Sequence, residues 1–138
     1  GAGTVVTEGA RQMIAEKDGV ASAMISSISA HVGAPTQVAY CGTKGAISML
    51  AKALGAVMGK HGIRVNAIEP GAIETPMSAS MFDQPDVMKY YNERIALGRV
   101  GKPAELAAAV AFMLSNDASY VTSATLLVDA GFIVNAEL

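Results

Sequence analysis

The sequence predicts an α/β fold, a doubly wound parallel sheet with helices on both of its faces. Three observations carry this. Short apolar runs of strand length alternate with longer stretches of helical periodicity. Their order is helix–strand–helix–strand–helix–strand, the order that builds parallel sheets. Glycine or proline punctuates the junctions, at Gly62, Pro70-Gly71 and Pro103.

Each element has its own reason. Val5 to Glu16 reads as a helix with one apolar side, stopped by Glu16-Lys17-Asp18-Gly19. Val20 to Ser26, Val-Ala-Ser-Ala-Met-Ile-Ser, has the length and character of a buried strand. Gly33 and Pro35 mark the loop that follows. From Val38 to Lys60 a long helix is expected, with Ile47, Leu50, Leu54, Val57 and Met58 at three- and four-residue steps. Gly62 ends it, and Ile63 to Ile68 is the second strand, broken by Pro70-Gly71. Residues 72–79 form a loop, and Ser80 to Ile95 reads as a polar helical excursion. Pro103 suits the first turn of a further helix, where its missing N–H costs nothing, with Leu106, Val110 and Leu114 on one face. Ser123 to Val128 is the third strand, ending at Asp129-Ala130-Gly131.

Composition narrows the function. The 138 residues make one domain at most, and hydrophobic residues, at 51% against 16% charged, are too many for a disordered chain. A net charge of −2 with scattered lysines and arginines speaks against nucleic acid and anionic membrane as partners. No run approaches the roughly 18 apolar residues of a membrane span. The single cysteine, Cys41, forbids an internal disulfide and suits a reducing compartment, so a cytoplasmic setting is expected. The chain opens Gly1-Ala-Gly-Thr-Val-Val, without methionine and leading straight into a helix, so an upstream segment is expected too.

The residues that carry chemistry cluster around Tyr40-Cys41-Gly42-Thr43-Lys44. A tyrosine and a lysine four apart share one helix face. An ammonium about 4 Å from the phenol oxygen favours the phenolate by roughly 4 kcal/mol at an effective dielectric near 20. Such a pair makes a general base from a side chain that is ordinarily inert. A core tyrosine with a snorkelling lysine gives the same spacing. Ser27, thirteen residues upstream at a predicted strand end, favours the chemical reading. Ligands of parallel sheets bind beyond the carboxyl ends of strands, where Ser27 and Pro70-Gly71 both fall.

Ser27, Tyr40-x-x-x-Lys44, Asn66-Ala67-Ile68-Glu69-Pro70-Gly71, Ile73-Glu74-Thr75 and the Asp129-x-Gly131 ending occur in one order and spacing. Together they resemble the short-chain dehydrogenase/reductase family over essentially the whole chain. The resemblance implies a Rossmann-type fold and hydride transfer between NAD or NADP and a small alcohol, sugar or carbonyl substrate. It implies Tyr40 as general acid and base, Lys44 as its electrostatic partner and a ribose contact, and Ser27 as the donor to the substrate oxygen. Pro70, Gly71, Ile73 and Thr75 would meet the nicotinamide, and Ser29, His31 and Gln37 would line the substrate pocket. Thr75 serves equally as a cap for the segment after it. The stretch from Met81 to Pro103 resembles the substrate lid of aldose 1-dehydrogenases of glucose and rhamnose type. 3-oxoacyl carrier-protein reductases carry a similar Leu-Gly-Arg-x-Gly stretch.

Parts of the family pattern are absent from the sequence. There is no glycine-rich phosphate turn, and the asparagine that completes the catalytic tetrad would precede Gly1. Residues 1–138 therefore read as the carboxyl-terminal, catalytic half of such a domain. A silent fragment acting in assembly with a full subunit is the competing reading. Ala46, Ala51, Ala53, Gly55, Ala56 and Gly59 make the long helix rich in small residues, which the resemblance links to a homodimer or homotetramer interface.

Overall fold

A computed structural model of the chain describes residues 2–16 and 20–135, with side chains in the first helix described for 8–15. The elements are α1 (Ala2–Glu16), β1 (Ala21–Ile25), α2 (Val38–Met58), β2 (Arg64–Pro70), α3 (Ala79–Phe82), α4 (Pro85–Arg94), α5 (Pro103–Leu114) and β3 (Thr125–Val128). The stop expected at Glu16-Lys17-Asp18-Gly19 lies, from Lys17 on, outside the described residues.

The sheet is parallel, in the order β1-β2-β3. Ala23 pairs with Asn66, and Ala67 with Thr125, so β2 lies between its two neighbours. Side chains alternate across it. On one face Val65 and Ala67 join Ala51 and Met58 of α2 and Ile63 in a core that Ala10, Met13, Met24 and Leu54 flank. On the other face α5 packs over β1 and β2. Arg64 fixes the end of α5: its guanidinium donates to the carbonyls of Met113 at 2.8 Å and Ser115 at 2.9 Å. Those carbonyls have no partner inside the helix, and a cation there complements the helix dipole. Asn66, fully buried, donates to Val121 O at 2.9 Å and accepts from Ala124 N at 3.0 Å, which sets the approach of β3.

Several boundaries differ from the sequence-based expectation. The excursion expected over Ser80–Ile95 is two helices, because Pro85 has no N–H to continue the first and holds Gln84 in an extended conformation. The second strand runs to Pro70 rather than stopping at Ile68, since Gly71 N still reaches Val128 O at 2.9 Å. α2 ends at Met58 in a short 3-10 turn, closed by Gly62 at φ 73°.

The small residues of α2 divide between two roles. Ala51 and Gly55 are buried, while Ala46, Ala53, Ala56 and Gly59 are exposed. A Cβ on Gly55 would lie 2.6 Å from Ser123 N and 2.9 Å from its Cα, both backbone atoms. Gly55 therefore serves contact within the chain. Gly55→Ala is expected to destabilise the protein by about 1–3 kcal/mol through overpacking, although alanine is the better helix former. The denaturation midpoint reads this directly.

Arg99, ahead of α5, and Glu105, in its first turn, form a bidentate pair at 2.6 and 2.9 Å, and Glu105 also accepts from Lys102 N at 2.8 Å. The Arg99 bonds first, and the Lys102 amide second, lower the Glu105 carboxyl from its ordinary 4.5 to about 2. The folded value lies below the unfolded one, so the stabilisation is complete above pH 4.5 and is lost as pH falls toward 2. The difference in melting temperature between the wild type and Glu105→Gln should shrink across that window. A pH-independent difference would contradict the pairing.

Candidate active site

The carboxyl ends of the parallel strands lie along one edge, and the predicted groups come with them. Ser27 follows β1, is 8% exposed, and opens a 3-10 turn over Ile28–Ala30. Its Oγ accepts from Ser29 N at 3.1 Å. Its own proton has no partner among the described residues, which leaves it available to a ligand oxygen. Tyr40 and Lys44 occupy the first two turns of α2. Lys44 Nζ donates to Ile25 O, the last residue of β1, at 3.1 Å. From there it lies 5.5 Å from the centre of the Tyr40 ring, within cation–π range. A strand-end carbonyl thus aims the ammonium at the phenol, so the four-residue spacing is not the whole device.

A cavity of about 230 Å³ opens at this edge. Ser27, Tyr40, Gly71 and Ile73 line it, together with Ser29 and Gln37 from the serine loop. Met81 and Phe82 of α3 and Tyr91 of α4 close its far side. Tyr91 is held by an edge-to-face contact with Phe82 at 5.4 Å and by stacking on Phe132 at 5.7 Å. Burial first, and the neighbouring Tyr90 second, push its phenol above the ordinary value of 10.0. It is a neutral hydroxyl in the cavity wall. Its part in this wall is visible only in three dimensions.

Four of the expected residues also have structural contacts of their own. Thr75 forms a tight turn with Ser78, its Oγ1 lying 3.1 Å from Ser78 Oγ and accepting from Ser78 N at 3.3 Å. It lines a separate apolar groove with Ile25, Ile73 and residues of α5. Pro70 pairs with Val128 at the end of β2. Gly71 does line the cavity, yet a Cβ there would also lie 2.7 Å from Asp129 Cβ and 2.8 Å from its Cα, so strand packing already demands glycine. His31 is not among the cavity-lining residues: its Nε2 lies 2.6 Å from Glu69 Oε2. Asp129, of the Asp129-x-Gly131 ending, accepts from Gly131 N at 2.9 Å and Ile133 N at 3.0 Å and so shapes a turn.

Sequence reasoning missed Glu69. It is 1% exposed and is bonded to Ser48 as well as to His31. Two signals were present: the only acid in its strand, and a serine four residues after Lys44 on the same helix face.

The donor set suits a nicotinamide ribose. An anchored ammonium and a phenol stand beside an open strand end, and a free hydroxyl faces the same space. The arrangement can move a proton to or from an alcohol oxygen and stabilise charge on it. No group of three or more metal-ligating side chains occurs among the described residues, and no helix there is long and apolar enough to cross a membrane.

Comparisons with known proteins place the fold and the sequence in a family. The family model described as enoyl-(acyl carrier protein) reductase matches residues 3–133. The chain is 41% identical over 137 residues to L-rhamnose-1-dehydrogenase of Scheffersomyces stipitis, covering 99% of this chain and 53% of that protein. It is 38% identical over 128 residues to L-rhamnose 1-dehydrogenase (NADP(+)) of Thermoplasma acidophilum, covering 93% of this chain and 50% of that one. Among solved structures, gluconate 5-dehydrogenase from Burkholderia cenocepacia, in complex with NADP and tartrate, superposes with a TM-score of 0.86 at 33% identity. That match covers 92% of this chain and 49% of the other. The chain thus spans about half the length of the relatives it matches. With serine, tyrosine and lysine at one parallel-strand edge and a family match over nearly its whole length, the chain belongs to the short-chain dehydrogenase/reductase family.

Proposed function

We propose that the chain is the catalytic half of an NAD- or NADP-dependent oxidoreductase acting at a CH–OH or C=O group of a sugar or small alcohol. The observation that carries the reading is the single cavity shared by Ser27, Tyr40, Gly71 and Ile73, with Lys44 tethered behind Tyr40. The L-rhamnose 1-dehydrogenase relatives support a sugar substrate.

When bound, the nicotinamide accepts or supplies the hydride. Tyr40 takes the proton of the substrate hydroxyl during oxidation and returns one during reduction. Ser27 donates to the same oxygen and stabilises the charge that develops there. Lys44, held by Ile25 O, keeps positive charge beside Tyr40 and bonds the ribose. Gly71 and Ile73 present the strand end to the nicotinamide, with Pro70 and Thr75 shaping the turns on either side. Ser29 and Gln37 offer polar contacts to substrate hydroxyls, and Tyr91 and Phe82 exclude water from the far side. The pyrophosphate needs a binding turn that this sequence does not contain.

The exposed Met49, Val57 and small residues on the outer face of α2 support a homodimer or homotetramer, and the lone cysteine supports a cytoplasmic setting.

Cofactor binding separates this reading from a silent fragment. The polypeptide is expected to take up NAD(H) or NADP(H) once a nucleotide-binding half is supplied. Failure of both cofactors, with and without that half, would overturn the proposal. In the complementing assembly, Tyr40→Phe is expected to lower kcat by about 10²–10⁴-fold while cofactor affinity barely changes. Retained turnover would remove Tyr40 from its role. Lys44→Ala is expected to weaken cofactor binding about tenfold or more as well as turnover. Unchanged affinity, read by fluorescence titration, would rule out the ribose contact.

A further inference from the structure

We infer that Glu69 is a positioning residue, a buried clamp that holds the serine loop and the tyrosine helix in register. Three of the segments that line the site, the serine loop, α2 and the end of β2, meet on this one carboxyl group. Glu69 stands on β2 immediately before Pro70-Gly71, and is 1% exposed. Ser48 Oγ donates to its Oε1 at 2.6 Å. Ser48 lies one helical turn beyond Lys44 and two beyond Tyr40, so this bond ties down the face of α2 that carries them. The imidazole of His31 lies 2.6 Å from Oε2. His31 N in turn donates to Ile28 O at 2.9 Å, closing the 3-10 turn that Ser27 opens.

A third strut links the same parts. Ser26 Oγ lies 2.8 Å from both Ser48 Oγ and the Lys44 carbonyl, and with the Ser48 proton on Glu69 its one proton serves one of the two. Ser26 is the immediate neighbour of Ser27 and is 2% exposed. The chain of contacts therefore runs from His31 through Glu69, Ser48 and Ser26 to the backbone of Lys44. It reaches Ser26, the neighbour of Ser27, and the backbone of Lys44, and none of its side chains lines the cavity.

Such an arrangement is costly to leave incomplete. A carboxyl taken out of water needs partners for both oxygens, and the 2.6 Å contacts lie at the short end expected for bonds to a charged group. Apolar residues of similar volume would fill the space at less cost, so the carboxyl contributes geometry more than stability. His31, with its side chain 42% exposed, is the solvent-side arm of the clamp rather than a reader of substrate.

The catalytic consequence rests on the proposed hydride-transfer reading, but the clamp itself does not. Three variants separate the two: Glu69→Gln, which keeps an acceptor for Ser48 and an N–H for the imidazole, Glu69→Leu, and the surface substitution His31→Ala. Amide hydrogen exchange is read at Ala30, His31 and Val32, whose bonds close the serine turn, with Ala67 in β2 as reference. His31→Ala and Glu69→Leu should speed exchange at the turn about tenfold and leave Ala67 unchanged, while Glu69→Gln stays near wild type. In the complementing assembly, Glu69→Leu should lower kcat about 10–100-fold with substrate KM and cofactor affinity within about threefold, and Glu69→Gln should restore most of the loss.

Equal exchange at the turn in His31→Ala and wild type would overturn the clamp, a comparison that stands even if Glu69→Leu fails to fold. So would a raised KM at unchanged kcat in His31→Ala, which would make His31 a substrate contact. If the exchange pattern appears and the wild type turns over no sugar or alcohol with either cofactor, the clamp stands and the hydride-transfer reading falls.

Discussion

Parallel pairing is the constraint on which the rest of the structure depends. Because β1, β2 and β3 run in one direction, their carboxyl ends share an edge, and Ser27, Pro70-Gly71 and Asp129 arrive there together. A parallel pair also needs a crossover between its strands. α2 is that crossover, and it starts from the same edge, so Tyr40 and Lys44 are delivered by the connection that parallel geometry requires. Lys44 completes the link by bonding Ile25 O, the end of the strand it left.

Polar groups inside this framework are few, and each fixes one relationship. Asn66 sets β3 against β2, Arg64 pins the carboxyl end of α5, and Glu69 joins α2 to the serine loop. All three lie on β2, the strand between two neighbours, where the direction of every other element can be referred to one backbone. Directional bonds at these positions tie particular backbone and side-chain groups together, which apolar packing alone does not do.

The elements were legible to the extent that their signals were local. α5 starts at Pro103 and α2 closes at Gly62 because a missing N–H and a positive φ are properties of single residues. Pro85 carried an equally local signal, and reading residues 80–95 as one helix overlooked it. Ser27, Tyr40 and Lys44 could be read because their spacing encodes a helix face beyond a strand end. Tyr91 could not: fifty-one residues separate it from Tyr40, and only the folding back of α4 brings both to one cavity.

What the sequence determined by itself was therefore the alternation of elements, the direction of the strands, and which candidate polar groups follow the strand ends. Local periodicity, turn chemistry and residue type are sufficient for those. The tertiary structure decided how the groups are aimed. It showed that Gly71 is required by Asp129, that Thr75 caps a turn, and that His31 faces Glu69 instead of the cavity. Those outcomes depend on distances between residues remote in the chain, set by close packing and by the need of buried polar atoms for partners.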